Sequence, residues 1–95
     1  MWEIAKVDSS IATFIGHNSG LGIATIEACG DDEQKERLLP DCYNMKRYTS
    51  FALSEPNFGS DATSIESFVV KATDGRDGYI LNGVKRWIAN GTLSD

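Results

Sequence analysis

The stretch Ala52-Leu53-Ser54-Glu55-Pro56-Asn57-Phe58-Gly59-Ser60-Asp61-Ala62-Thr63-Ser64 separates a helix-patterned half of the sequence from a strand-patterned half, and so restricts the fold more than any other feature. Pro56 confines Glu55 to extended backbone and removes one donor. Asn57 and Gly59 suit a tight turn. Thr49-Ser50-Phe51-Ala52-Leu53 reads as a short strand entering that turn. A strand that ends in a small-residue loop leaves backbone N–H groups free for a ligand. On these residues alone, an ordinary connection between a helical and a β region is the preferred reading.

Upstream, Trp2, Ile4, Ala5, Ile11, Ala12, Phe14 and Ile15 give an apolar stripe of helical period from Met1 to about Gly16. Gly16-His17-Asn18-Ser19-Gly20 reads as a break, after which Leu21 to Cys29 resumes as a short helix. Gly30 stands where a helix end favours a left-handed residue. Asp31 with Gln34 is a capping-box pattern opening a helix from Asp32 to Leu39, and Pro40 is expected to stop it. Met1 already lies inside the first periodic segment with no N-cap before it, which reads as a chain whose true beginning is missing.

Downstream the period changes. Ser67 to Ala72 is a plausible strand, followed by a turn cluster, Asp74-Gly75-Arg76-Asp77-Gly78. Tyr79-Ile80-Leu81 and Val84-Lys85-Arg86-Trp87-Ile88 are strand-like and flank Asn82-Gly83, a strong hairpin signal because both residues tolerate positive φ.

The formal charge of −5 gives no nucleic-acid footprint, and no apolar run is long enough to span a membrane. The first residues do not form a signal peptide, and Leu93-Ser94-Asp95 is not a peroxisomal address. Cys29 and Cys42 lack metal-ligand spacing and suit a reduced interior. His17, the only histidine, has no partner at motif spacing and reads as a surface or helix-end residue.

Ala-Leu-Ser-Glu-Pro-x-x-Gly-Ser-Asp, residues 52–61, resembles the first signature of the acyl-CoA dehydrogenase and oxidase flavoproteins. Phe58 departs from it, standing where many members have a small residue. Gly30-Asp31-Asp32-Glu33-Gln34-Lys35-Glu36-Arg37-Leu38-Leu39-Pro40 is similar to a recurring family segment. The resemblance covers about the whole chain, but a minority of a full family member. It implies an α+β fold: the end of an N-terminal helical domain over residues 1–48, then the first strands of the middle β-domain over residues 49–95.

The resemblance also implies FAD as cofactor and acyl-CoA as substrate, with introduction of an α,β double bond as in fatty acid β-oxidation. It places Phe51, Ala52, Leu53 and Ser54 along the pyrimidine side of the flavin. Trp87, Ile88 and Ala89 correspond to a Trp-Ile-Thr strand beside the ring, and Ser60 to the contact with the acyl-CoA thioester arm. Asp61 reads as a loop holder. The family's catalytic carboxylate comes from helices C-terminal to this span, and no acid here matches it. A truncated, non-catalytic product that at most binds flavin or a partner chain is therefore the alternative. Ala89 departs from the threonine common in dehydrogenases, and Met1 to Asp8 looks most like a plant peroxisomal short-chain acyl-CoA oxidase. Together these tilt the expectation toward an oxidase in the peroxisome, with the mitochondrion as alternative. Oxygen or an electron-transfer flavoprotein is the expected acceptor, and the full-length protein is expected to be a homo-oligomer.

Overall fold

Asp8 cuts the first apolar stripe in two. Its backbone is extended (φ −150°, ψ 111°), and its carboxylate accepts from Ser10 N–H at 2.7 Å and Ile11 N–H at 3.1 Å. It thus closes α1 (Trp2–Val7) and caps α2 (Ser9–Ile15), where sequence period predicts one helix. The computed structural model describes residues 1–95 except Asp74 and Arg76, so part of the predicted turn cluster lies outside the described residues.

The predicted break after Gly16 is not a break. The chain keeps helical dihedrals through Gly16 and Ala24, so that α2, a π-helical segment (Gly16–Ile23) and α3 (Ala24–Cys29) form one continuous run. Weak helix formers are retained because the segment has tertiary partners: Asn18 is fully buried, and Thr49 packs against Gly22, where a Cβ would come within 2.0 Å of Thr49 Oγ1. Gly30 is also not left-handed. Its φ of −69° and ψ of 148° carry the chain straight into the capping box of α4 (Asp32–Tyr43). In that box Asp31 Oδ1 accepts from Gln34 N–H at 2.8 Å, and Gln34 Oε1 accepts from Asp31 N–H at 3.0 Å.

Pro40 does not stop α4. Proline withholds only its own N–H, and the last turn is closed by Asn44, whose backbone and side-chain N–H groups both reach the Pro40 carbonyl. The extra turn brings Cys42 beside Leu39 and Ile23 in a small core, with Ile26 packed against it. Burial pushes the Cys42 thiol pKa up.

Two compact units result, one of Met1–Phe51 with Ala89–Asp95 and the other of Ala52–Ile88. In the first, the C-terminal residues fold back: Tyr48 N–H donates to the Asp95 carboxylate and Asp95 N–H to the Tyr48 carbonyl, both at 3.1 Å. The predicted strand at Thr49–Leu53 is absent, because Tyr48 to Ser50 spend their polar groups on Asp95, Asn18 and Ser94 rather than on a ladder.

In the second unit, β1 (Phe68–Lys71) pairs antiparallel with β2 (Tyr79–Asn82), from Phe68 opposite Asn82 to Lys71 opposite Tyr79. Asn82-Gly83 is therefore not the hairpin turn, and Val84–Ile88 is not a strand. Gly83 has φ 152°, and the chain there passes so close to Ser67 that a Cβ would meet Ser67 Oγ at 2.0 Å. Arg86 N–H then bonds to the Ser54 carbonyl at 2.9 Å instead of to a neighbouring strand. Long-range bonds have overridden the local turn signal.

Candidate functional site

Glu55 organises the second unit. Pro56 keeps it extended, and Glu55 and Phe58 exchange backbone hydrogen bonds of 2.9 and 3.2 Å across Pro56-Asn57. Its side chain is 3% exposed, yet charged: the carboxylate accepts from Lys85 Nζ at 2.8 Å, Ser67 N–H at 2.9 Å and Glu66 N–H at 2.6 Å. The Lys85 ammonium, then the nearby Ser67 hydroxyl, and then the two backbone N–H groups hold its pKa down to about 2 against the opposing effect of burial. The Ser67 hydroxyl is itself buried and makes no hydrogen bond of full geometry.

Lys85 also donates to the Leu53 carbonyl at 3.1 Å. The carbonyls of Leu53 and Ser54 are thus both turned toward residues 85–86. Among the described residues, no acceptor pairs with the backbone N–H of Ala52, Leu53 or Ser54. These donors, with the half-buried Ser54 carrying a hydroxyl, form a row suited to the carbonyl oxygens of a flat heterocycle.

Trp87 belongs to the same unit and is 81% exposed, so it is not a core tryptophan. Its φ of 59° is uncommon for a bulky residue, and the Arg86 guanidinium lies over its ring at 4.4 Å. Ile88 is half-buried. Phe51 and Ala89 fall in the first unit, Phe51 exposed and Ala89 half-buried. Ser60 is exposed. Asp61 accepts from the hydroxyls of Thr63 at 2.8 Å and Ser64 at 2.6 Å, which tie the loop and, Ser64 first, lower its pKa. Phe58 is half-buried.

The donor chemistry of residues 52–54 and an exposed indole fit a flavin. Glu55 and Lys85 were not legible as a pair: they stand 30 residues apart, and no spacing rule joins them. The only hint was an acid placed directly before proline in a turn.

A helical segment followed by the first strands of a β region defines the architecture of an acyl-CoA dehydrogenase fold, its N-terminal helical domain leading into the middle β-domain. The model of the acyl-CoA dehydrogenase N-terminal domain matches residues 1–46, and that of the middle domain matches residues 50–95. The chain belongs to the acyl-CoA dehydrogenase family, whose members are flavoproteins. Mitochondrial isovaleryl-CoA dehydrogenase of Bos taurus is 39% identical over 95 residues, covering 100% of this chain and 22% of that protein. Mitochondrial isobutyryl-CoA dehydrogenase of Dictyostelium discoideum is 40% identical over 93 residues, covering 97% and 21%. The crystal structure of glutaryl-CoA dehydrogenase from Mycobacterium smegmatis superposes with a TM-score of 0.85 at 36% identity, covering 93% of this chain and 22% of that one. The chain thus spans about a fifth of these relatives.

The expected peroxisomal location is corrected by these findings, since both curated relatives are mitochondrial. None of the three is an oxidase, so the likeness stands at the level of the family and not of a plant peroxisomal enzyme.

Proposed function

We propose that this chain supplies part of the FAD site, and the edge that meets acyl-CoA, in a mitochondrial enzyme that desaturates an acyl-CoA thioester at the α,β position. The observation that carries the reading is the row of unpaired N–H groups on Ala52, Leu53 and Ser54, within a family of flavoproteins. The mitochondrial assignment rests on the names of the relatives.

When bound, FAD accepts a hydride from the β-carbon of the substrate. Phe51 to Ser54 hold its pyrimidine edge through backbone donors and the Ser54 hydroxyl, which stabilise the negative charge that reduction places there. Trp87 covers the ring and excludes water, with the Ile88 and Ala89 backbone alongside. Ser60 contacts the thioester arm. No acid of this chain is assigned the α-proton. An electron-transfer flavoprotein is the proposed acceptor, in keeping with relatives named as dehydrogenases, and the proposed full-length assembly is a homo-oligomer.

Ala89 favours a second reading. It lacks the hydroxyl that would bond the flavin, and this suits an oxidase that uses oxygen. The test of the main reading is anaerobic titration of the FAD-loaded full-length protein with an acyl-CoA series. Substrate-dependent bleaching of the flavin is expected. Bound FAD that no acyl-CoA bleaches would overturn the reaction, and failure to bind FAD would overturn the site.

A further inference from the structure

The ammonium of Lys85 is doubly committed, to Glu55 Oε1 at 2.8 Å and to the Leu53 carbonyl at 3.1 Å. Its seat is fixed, because Glu55 is itself held by the N–H groups of Glu66 and Ser67. The two side chains are only 24% and 3% exposed, which is uncommon for a lysine acting merely as surface charge. No peptide bond in the described chain is cis. In a trans peptide the C=O of one residue and the N–H of the next point in opposite directions. Holding the Leu53 carbonyl toward Lys85 therefore turns the Ser54 N–H the other way. The following plane is pinned from the same side, by Arg86 N–H on the Ser54 carbonyl at 2.9 Å.

The geometry points to Lys85 as a positioning residue: seated by Glu55, it fixes the direction of the Ser54 N–H, and through it the hydrogen bond that this N–H gives to a pyrimidine carbonyl of the flavin. This inference rests on the flavin reading above and adds to it the device that preorganises the donor. Glu55 is the support of that device and not a base, since its carboxylate is fully occupied by three donors.

The test compares the FAD-loaded full-length protein with its Lys85→Met and Lys85→Arg variants. Two quantities are read: the infrared carbonyl band of FAD carrying ¹³C at a pyrimidine carbonyl, and the FAD dissociation constant. In Lys85→Met the band moves to higher wavenumber and FAD binds about five- to tenfold more weakly. Lys85→Arg keeps the charge and a donor, and returns the band toward its wild-type position. An unmoved band in Lys85→Met with FAD bound overturns the inference while leaving the flavin reading intact. Wild-type protein that binds no FAD overturns that reading instead, and the inference with it. Should Lys85→Met not fold, Lys85→Gln carries the same test: a shifted band supports the inference and an unmoved one overturns it.

Discussion

Asn18 and Thr49, 31 residues apart, are joined by three hydrogen bonds: Thr49 N–H donates to Asn18 Oδ1 at 2.7 Å, and Thr49 Oγ1 donates to the Asn18 carbonyl at 2.8 Å and to Oδ1 at 3.0 Å. Asn18 is fully buried, and its side-chain amide donates to Met45 Sδ at 3.5 Å. The carbonyl bond is what an α-helical ladder would otherwise leave unfilled at a widened turn. Asn18→Ala removes the Oδ1 acceptor and strands the Thr49 N–H, at a cost of about 1–3 kcal/mol. Chemical denaturation of the variant checks this, and an unchanged midpoint would remove Asn18 from the account of the π segment.

Gly83→Ala is expected to be more damaging. The backbone φ of 152° disfavours any L side chain, and the new Cβ would lie 2.5 Å from Ser67 Cβ and 2.8 Å from its Cα. Backbone atoms cannot swing aside, so the cost is about 3 kcal/mol from strain and overpacking. Loss of protection at the β1 and β2 amides in hydrogen exchange would report it.

Acid should weaken the second unit through Glu55. Its folded-state pKa of about 2 lies below the ordinary carboxylate value of 4.5, so the folded state favours the ionised form. The stabilisation is fully present above about pH 4.5 and is lost as the pH falls through 4.5 toward 2. Glu55→Gln should flatten the stability profile across that window, as measured by denaturation midpoints at a series of pH values. An equal acid dependence in variant and wild type would place the sensitivity elsewhere.

Ala89→Thr tests the choice of electron acceptor in the FAD-loaded full-length protein. A threonine hydroxyl reaching the flavin adds a bond worth on the order of 1 kcal/mol, more toward a charged partner. The reduced cofactor should then react more slowly with oxygen, relative to its rate of reduction by acyl-CoA. Stopped-flow measurement of both half-reactions decides. If oxygen reactivity is unchanged at intact thermal stability, Ala89 is a packing choice, and the oxidase reading loses its support.

The parts of the fold that were legible in the sequence depend on neighbours. The Asp31–Gln34 box can be read because both partners sit three residues apart, and β1 because its apolar run is bounded by turn residues. Asp8 is a local cap too, but the apolar stripe running across it masked it. The misreadings share another cause. Gly16 to Gly20, Pro40 and Asn82-Gly83 all carry correct local signals that distant groups outweigh: Thr49 for the first, Asn44 together with the Leu39 and Cys42 burial for the second, Ser67 and Ser54 for the third. At the candidate site, the Ser-Glu-Pro motif marked the right turn. The Lys85 clamp beneath it depends on a contact across 30 residues and left no periodic trace.

The π segment also has an effect on how the long helical run presents its faces. Each α-helical residue advances the chain by about 100° around the axis. The wider winding of Gly16–Ile23 absorbs about one residue more than α-helical turns of the same rise would hold. The faces of α2 and α3 are therefore out of phase by roughly that angle compared with an uninterrupted α-helix. A one-residue deletion within this span would let it relax to ordinary winding and rephase everything after it. Ile23 and Ile26 would then turn away from Leu39 and Cys42, although every core side chain remained in the sequence.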